Sequence, residues 1–365
     1  PIPPGKASNP TSYKNHPWAT GPYMFKPGGY LPDKSLVLVK NPYWDPNTDP
    51  GRHQYLDEID FNFTTDNTKI DQTLLADAGT AQTTMSYEQV LTTDYRKVNQ
   101  DAGDRLILGS RPCTYFWYPD NRKITDINVR RALAYAYPYH AMWTASGQIP
   151  GVTRLPATNV MPPGTPARVG YNPLPGHTPG STDPAKAKAL LRDAGKLQYV
   201  IKFPYITDDP LSLAAKNVAV QALSAAGFDP QPVGATAATI DAKLQANPQA
   251  DVNVRSNGWC NDWPSGSGSL PAIFHTRDLA AAGFSGNYEA FSSKVVDDRI
   301  TAISHLLLTE QPSAWNALDK FIQTKYFPVI VTGYGGAAML RGSKVHNAND
   351  DTTVGEPTWK DIWLG

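Results

Sequence analysis

Short runs typical of β-strands open the chain and are followed by a helical pattern. Between Gly21 and Phe63, apolar positions fall in brief runs rich in β-branched and aromatic residues, separated by Pro, Gly, Asn and Asp, which predicts strands. Residues 66–78 then place apolar side chains at helical spacing behind Asp66, a residue suited to cap a helix, and Gly79 ends the pattern. The start of the chain is therefore predicted to be β-rich, with one helix behind it.

An aromatic run, CTYFWYP at 113–119, predicts a further strand. The segment DINVRRALAYAYPYHAMW follows it with a helical apolar face. Pro138 is expected to end or bend that helix, because proline lacks the amide hydrogen that a helix interior uses. Residues 150–182 contain many prolines and glycines without periodicity, and we expect them to form a long excursion.

Helical and strand patterns alternate from Asp183 onward. DPAKAKALLRDAG predicts a helix that stops at Gly195, YVIKFPY predicts a strand, and 210–227 predicts an amphipathic helix. The further elements expected are strands near 228–233 and at 251–255, helices near 237–246, 295–309 and 312–326, and the apolar strand FPVIVTGYGG. Alternation at this spacing predicts an α/β lobe with an at least partly parallel sheet.

Length and charge exclude several classes of function. A chain of 365 residues is too long for one ordinary core and predicts two lobes or domains. Lys plus Arg and Asp plus Glu each number 33, so no basic field is available for nucleic acid or an anionic membrane surface. The longest apolar run is shorter than a bilayer requires, and the opening PIPPG lacks Met and an apolar signal region, which predicts a processed or truncated product.

Motifs for catalysis, cofactors and metals are not found in the sequence. GxSxG, HExxH and the P-loop do not occur, and GYGGAA at 333–338 departs from a dinucleotide fingerprint. The seven histidines lack metal-ligand spacing, and adjacent carboxylates such as Asp57 and Glu58 diverge on a regular element. We therefore expect no enzyme, no cofactor and no bound metal.

Cys113 and Cys260 are the two cysteines of the chain. They lie too far apart in sequence for a zinc motif or a CxxC redox site. They are either two buried free thiols or one disulfide, and the count alone leaves both open. A disulfide would imply an oxidising, extracytoplasmic compartment.

Six motifs follow one another in an order that matches a known family. They are ATGPYMFKPGGYLPDKSLVLVKNPYWD, YLDEIDFNFTTDNTKIDQTLLADAG, DINVRRALAYAYPYHAMW, DPAKAKALLRDAG, GWCNDWP and HNANDDTTVGEPTWKDIWL. In that order they resemble the family 5 extracellular solute-binding proteins, the dipeptide and oligopeptide receptors of ABC importers. The resemblance covers nearly the whole chain and implies an α/β, two-lobed, periplasmic-binding-protein-like fold of type II, in its peptide-binding subclass.

The family layout implies the lobe boundaries. Residues 1–112 and 335–365 would form the remainder of lobe I, and 113–334 would form lobe II, with the crossovers near Pro112 and Gly333 as the hinge. The family's N-terminal segment, with its signal peptide, its lipid-attachment cysteine and the start of lobe I, has no counterpart here. The resemblance therefore implies the C-terminal part of a receptor, with the N-terminal part of lobe I absent.

The resemblance also implies a function and a location. The chain would be a monomeric extracytoplasmic receptor, in the periplasm or at the cell surface and lipid-anchored, that hands oligopeptides or related small solutes to a membrane-embedded ABC permease. Nucleic acid is not expected as a partner. A same-fold cell-envelope lipoprotein with a regulatory role toward a protein or glycolipid partner stays open. So do other ligands that the family uses, such as nickel chelates, haem or oligosaccharides.

GWCNDWP is the candidate ligand site. Oligopeptide-binding members carry a disulfide between a CTYYY strand and a GWC.D loop, which implies that Cys113 and Cys260 are paired. Asp262 matches the aspartate that binds a peptide's α-ammonium, although it could instead cap a turn. The other candidate ligand-binding residues are Gly258, Trp259, Cys260, Asn261, Trp263, Tyr115 and Phe116.

These candidates have different expected roles. Gly258 to Cys260 would offer backbone for pairing with a peptide, the two tryptophans would form flat apolar walls, and Tyr115 and Phe116 would complete the pocket. Two departures from the family weaken the inference that this chain shares the family's substrate. Pro138–Tyr139 replaces its Asp–Arg pair, and DWPSGSGSLP replaces its DPDPxxF continuation, which is expected to make this loop more flexible.

Overall fold

The structure is a computed structural model that describes residues 17–276 and 286–365. The strands are β1 (Tyr23–Leu31), β2 (Ser35–Lys40), β3 (Glu58–Asn62), β4 (Leu106–Pro119), β5 (Arg154–Leu155), β6 (Tyr199–Ile206), β7 (Phe228–Ala235), β8 (Val254–Cys260), β9 (Ile330–Leu340), β10 (Val345–His346), β11 (Asp350–Asp351), β12 (Glu356–Pro357) and β13 (Trp363–Leu364). The α-helices are α1 (Asn67–Ala76), α2 (Thr92–Asp101), α3 (Ile127–Ala136), α4 (Tyr139–Ala145), α5 (Pro184–Asp193), α6 (Pro210–Ala225), α7 (Leu270–Phe274), α8 (Lys294–Ser304) and α9 (Gln311–Lys325).

Two compact units divide the chain. The first contains the described residues up to Leu108, together with Ala338–Asp351 and Glu356–Gly365. The second contains Gly109–Ala337 and Thr352–Gly355. Strands β4 and β9 pass from one unit into the other, so the chain crosses within continuous extended backbone.

An antiparallel sheet in the order β1-β2-β3 begins the first unit, as the sequence predicts. The register of β1 on β2 shifts between Phe25 and Tyr30, where Gly28 has a φ of 71°. Asp66 caps α1 by accepting from the amides of Thr68 and Lys69, which confirms the predicted helix start. Leu74 on this helix packs into a small core with Val98 of α2 and with Val90, Ala102 and Leu340.

A sheet in the order β5-β9-β4-β8 is the centre of the second unit. Along β4, side chains alternate between its two faces, so Trp117 enters one core while Phe116 and Tyr118 enter another. Helices α3, α5 and α6 supply the core around Trp117, and α7, α8 and α9 supply the core around Phe116. Because both faces are covered, β9 is buried along its whole length.

Strands β6 and β7 pair in parallel, from Tyr199 opposite Phe228 to Ile206 opposite Ala235, with α6 between them in the chain. The predicted parallel pairing in an α/β lobe is thus confirmed. Helices α5 and α6 each begin with a proline, which follows Asp183 and Asp209 respectively. The side chains of these two aspartates accept hydrogen bonds from backbone amides of the first turn. Pro138 separates α3 from α4, as expected.

Three sequence predictions needed correction. The strand expected at 251–255 extends through Val254–Cys260, so GWC lies in a strand and not in a loop. The helix expected near 237–246 is reduced to one π-helical turn at Asp241–Gln245. The 150–182 excursion contributes β5 to the central sheet, because Arg154 and Leu155 pair with Gly335 and Tyr334.

Glu289 is a fully buried carboxyl group whose two oxygens have no hydrogen-bond partner within the described parts of the chain. The hydroxyl of Tyr118, also fully buried, is in the same situation. Burial raises the pKa of Glu289 well above its usual range, and the charge of Asp120 adds to the rise. Glu289 is therefore held protonated in the folded protein at pH values where it ionises in the unfolded chain.

The free energy of unfolding of Glu289→Gln, relative to that of wild type, should increase as pH increases. The raised pKa means that the folded state keeps a proton which the unfolded state loses above about pH 4.5, so wild-type stability falls from that pH upward. Each unit of pKa elevation contributes about 1.4 kcal/mol to this fall, which a neutral amide avoids. Urea unfolding of wild type and Glu289→Gln at several pH values between about 4 and 8 measures it.

The exposed Glu88→Gln variant is the matched control, and its stability should differ little from that of wild type. A Glu289→Gln effect that is constant across the pH range would contradict the assignment of a buried neutral carboxyl.

Candidate functional site

The hydrogen-bond alternation between β4 and β8 determines which backbone groups of β8 face outward. The Asn261 amide donates to the Pro112 carbonyl at 2.8 Å, and the Asp120 amide donates to the Asn253 carbonyl at 2.8 Å. Antiparallel ladders alternate between bonded and non-bonded pairs, so Tyr115 opposite Gly258 is a non-bonded pair. The backbone groups of Gly258 therefore point away from β4, toward the outer edge of the sheet, and those of Ser256 and Cys260 do the same.

Cys113 and Cys260 form a disulfide, which confirms the pairing that the resemblance implies. They face each other across the two strands with a Cα–Cα distance of 3.9 Å. The close approach agrees with a non-hydrogen-bonded pair, in which opposite Cα atoms come nearest. The bridge fixes the end of β8 to β4 at the point where the candidate loop begins.

The outer edge of β8 is partly occupied by side chains. Gln245 bonds both backbone groups of Ser256, accepting from its amide at 3.4 Å and donating to its carbonyl at 2.9 Å. The Gly258 amide donates to the neighbouring Asn257 side chain at 2.8 Å. The Gly258 carbonyl and the Cys260 amide have no hydrogen-bond partner in 17–276 or 286–365. These two groups can pair with an extended chain laid along the edge.

Asp262 follows this edge by two residues and is exposed to solvent. Within the described residues, no backbone amide donates to its carboxylate, so it does not cap a turn. Nor does it form an ion pair with any described cation. The carboxylate is thus free to receive a positively charged group.

The loop after Asp262, which is expected to be flexible, contains several internal hydrogen bonds. Ser265 accepts the Gly268 amide at 2.9 Å with its carbonyl and the Ser267 amide at 3.2 Å with its hydroxyl. A Cβ on Gly266 would lie 2.4 Å from Cβ of Trp315, so only glycine fits there. The serine and glycine residues that looked like a loose linker therefore hold the loop against α9.

The tryptophans of the motif differ in their surroundings. Trp259 packs against the core around Phe116, and its indole donates to the Gly268 carbonyl at 2.6 Å. Trp263 is 51% exposed, and its indole donates to the Ser267 hydroxyl at 2.9 Å. Trp263 can offer an apolar surface beside Asp262, whereas Trp259 mainly supports the loop.

Two other predicted ligand residues lie inside the protein. Phe116 is 1% exposed, because alternation along β4 turns it into the core opposite Tyr115. It cannot touch a ligand at the β8 edge, and this part of the prediction is wrong. Asn261 is also buried, with its amide nitrogen donating to the Ser265 carbonyl at 3.3 Å. It positions the loop from inside.

Tyr115 lies on the same face of the sheet as Gly258 and the disulfide. A Cβ on Gly258 would lie 2.8 Å from two carbons of the Tyr115 ring, so the ring covers bare backbone. The Arg154 guanidinium stacks on this ring, with Cζ 3.3 Å from the ring centroid. Sequence reasoning missed Arg154, since it lies in the aperiodic 150–182 segment and no local pattern marks it.

A cavity of about 300 Å³ opens on that face further along β4 and β8. Trp117 and Ser256 form its floor, and the end of β6 and the start of α6 form its wall. The wall residues include Phe203, Tyr205, Asp209 and Lys216. Because its lining includes both aromatic and charged groups, the cavity could hold either an apolar or a polar group of a small molecule.

No group of three or more His, Cys, Asp or Glu side chains is placed to hold a metal ion in 17–276 or 286–365. Among the helices of those same ranges, none has the length and apolar character that crossing a bilayer demands.

Family comparison decides the class of the protein. The sequence model for bacterial extracellular solute-binding proteins, family 5 Middle, matches residues 1–280. The chain belongs to this family. No curated protein sequence matches it significantly.

Solved structures with the same fold include three oligopeptide or murein-peptide binders. Clavulanic acid biosynthesis oligopeptide binding protein 2 matches with a TM-score of 0.84 at 20% identity, over 100% of this chain and 66% of that one. MppA, a periplasmic murein tripeptide binding protein in its unliganded open form, gives 0.73 at 17% identity, over 100% and 67%. AppA from Bacillus subtilis, in complex with a nonapeptide, gives 0.60 at 16% identity, over 94% and 66%.

These matches confirm the predicted fold class, the α/β, two-lobed type II solute-binding fold. The chain spans about two thirds of the length of the structures that it matches. At these identities the likeness describes the fold, and the ligand has to be inferred from the site.

Removal of the Cys113–Cys260 bridge should destabilise the protein strongly. The bridge joins residues 147 positions apart, and a loop of that size contributes about 5 kcal/mol on the chain-entropy model. Denaturant unfolding of a Cys113→Ser/Cys260→Ser variant, compared with wild type, measures the loss. Thiol titration of unreduced, denatured wild type should find no free thiol, and two reactive thiols would contradict the bridge.

Proposed function

We propose that this family member is an extracytoplasmic receptor that binds oligopeptides, or related small solutes with a peptide-like backbone, for an ABC importer. The observation that carries the proposal is the outer edge of β8, where the Gly258 carbonyl and the Cys260 amide are available next to the free carboxylate of Asp262. Family membership and the peptide-bound Bacillus subtilis AppA support it.

An added strand would explain how one site accepts many peptides. Peptides share their backbone and their terminal charges, whereas their side chains differ. The Gly258 carbonyl can accept a ligand amide, and the Cys260 amide can donate to a ligand carbonyl. In an antiparallel ladder, the Gly258 carbonyl would pair with one ligand residue and the Cys260 amide with the ligand residue two positions earlier, so the ligand would run with its N-terminus toward Asp262.

Asp262 would receive the α-ammonium of the peptide. Its carboxylate lies just beyond the end of β8, so a peptide paired antiparallel to Gly258–Cys260 would bring its N-terminus toward this carboxylate. Trp263, half exposed beside it, would shield the ion pair from water and strengthen it. Without ligand the carboxylate is hydrated, so binding brings the two charges together at a desolvation cost that the hydrogen bonds offset.

The remaining parts of the proposal come from the family. Residues 1–112 with 335–365 and residues 113–334 would act as two lobes that enclose the ligand by hinge closure, and a membrane-embedded permease would receive it. The disulfide supports an oxidising, extracytoplasmic location. Lipid anchoring and a monomeric state are part of the same proposal. The role is one of binding, not catalysis, in keeping with a family of solute-binding proteins.

Asp262→Asn should weaken peptide binding while leaving the fold intact. The change removes the charge and keeps the shape, so the ligand's ammonium would be desolvated beside a neutral amide. Losing one partner of such a pair typically costs about 2–5 kcal/mol, or roughly thirty-fold to several thousand-fold in affinity. Calorimetric titration with a panel of tri- to pentapeptides measures the loss, and unfolding midpoints should differ little because the carboxylate is exposed.

The controls for this prediction remove a carboxylate elsewhere on the protein and the α-ammonium of the peptide. Asp193→Asn, an exposed aspartate on α5, should bind like wild type. N-acetylated peptides should bind wild type as poorly as free peptides bind Asp262→Asn, and the two losses should not add because both remove the same pair. Additive losses, or unchanged binding by Asp262→Asn, would show that the carboxylate does not receive the ammonium.

A further inference from the structure

Arg154 extends across bare backbone to reach Tyr115. It pairs with Gly335 on β9, and its Cδ lies 2.6 Å from where a Cβ on Gly333 would be. Glycine at position 333 lets the arginine stem cross β9 and place the guanidinium over β4, 3.3 Å from the Tyr115 ring centroid. The guanidinium is held in a defined place by the fold and is only partly buried.

Other buried arginines of this protein have oxygen partners. Arg105 donates to the Leu74 carbonyl at 2.7 Å, and Arg130 donates to the Ile124 carbonyl at 2.6 Å. Arg255, which is fully buried, pairs with Asp120 at 3.3 Å and also donates to backbone carbonyls. Carbonyls or a carboxylate thus satisfy these three guanidinium groups.

Arg154 does not follow this pattern. Its Nη1 atom is buried and has no hydrogen-bond partner in the described ranges. Burial lowers the pKa of Arg154, and the groups that oppose the shift are the phenol of Tyr115, which also hydrogen-bonds to the guanidinium, and the phenol of Tyr137, with no carboxylate among them. Stacking on the ring and the bond to the phenol offset part of the cost of a cation without a carboxylate partner, but they leave the Nη1 donors unsatisfied.

The guanidinium of Arg154 lies close to the proposed ligand edge. The Tyr115 ring on which it stacks contacts Gly258 of β8 directly, and both residues share one face of the sheet with the disulfide. Neighbouring strands are about 4.8 Å apart, so a group over β4 is roughly one strand spacing from β8. A ligand along the outer edge of β8 would have this cation within reach of an extended side chain or of its terminus.

We infer that Arg154 is an anion-recognition residue of this protein, and that it binds a carboxylate of the ligand through its planar N–H fork. A carboxylate matches the fork with two parallel hydrogen bonds and would satisfy the unpaired Nη1 donor. The site rests on the proposed function for its position beside the ligand, and it adds the chemistry of the preferred solute. The carboxylate belongs either to an acidic side chain or to the C-terminus of a peptide.

Succinate is the probe for the site itself, independent of peptide binding. In wild type at constant ionic strength, titration with succinate should shift the side-chain N–H resonance of one arginine in ¹⁵N NMR spectra. Arg154→Gln should remove that shift and weaken succinate binding at least about tenfold. Arg154→Lys, which keeps the charge without the fork, should bind with intermediate strength.

Arg299→Gln is the matched control. Arg299 also stacks on an aromatic ring, with Cζ 3.7 Å from the Phe321 centroid, but on the exposed surface of α8. This variant should respond to succinate like wild type. Arg154→Gln should unfold at a denaturant midpoint no lower than wild type, because it removes an unpaired buried donor. A large loss of stability together with unchanged succinate binding would show that the residue is structural and overturn the inference.

Peptides then separate the two sources of the carboxylate. Trialanine, trialanine amide and Ala-Glu-Ala amide are titrated into wild type and Arg154→Gln by calorimetry. A loss on amidation that vanishes in the variant assigns the C-terminal carboxylate, and a gain from glutamate that vanishes in the variant assigns an acidic side chain. If no peptide binds but the succinate response depends on Arg154, the peptide function fails and the anion site stands. If peptides bind through Asp262 and neither succinate nor carboxylates depend on Arg154, the anion site fails alone.

Discussion

The antiparallel pairing of β4 with β8 is the interaction on which the second unit depends. It places Cys113 opposite Cys260 and thereby brings a disulfide to the end of the ladder. It also divides the side chains of β4 between two cores, with Trp117 on one side and Phe116 on the other. Every candidate ligand residue takes its position from this one ladder, because β8 ends where the loop carrying Asp262 begins.

Glycine has a specific structural use around the ladder. Gly258 admits the Tyr115 ring, Gly333 admits the Arg154 stem, and Gly266 admits Trp315 beneath the loop. Each of these contacts brings a large side chain onto backbone that carries none of its own. The surface beside the β8 edge is therefore built from aromatic rings and a guanidinium set on flat backbone, which gives defined positions to groups that would otherwise be mobile.

Local patterns predicted most of the elements, and the misses have long-range causes. Asp66 caps α1 and Pro138 ends α3 as predicted, because capping and helix termination depend only on residues that are neighbours in sequence. The strand at Val254–Cys260 was predicted too short because the residues after Val254 are polar. The charge of Arg255 is tolerated at its buried position in the strand because Asp120, 135 positions away in sequence, pairs with it. The resemblance led to the disulfide and the Asp262 loop, but the stacking of Arg154 on Tyr115 depends on strand order, which no local pattern contains.

The side chain of Gln245 has a consequence for ligand length. By bonding both backbone groups of Ser256, it takes the place that a ligand residue would otherwise fill on this edge. An added chain can find free partners only from Gly258 onward, and Asp262 lies a few residues beyond. If a peptide binds as proposed, its residues beyond Gly258 would find the backbone groups of Ser256 already bonded to Gln245, and they would have to leave the sheet and make their contacts elsewhere.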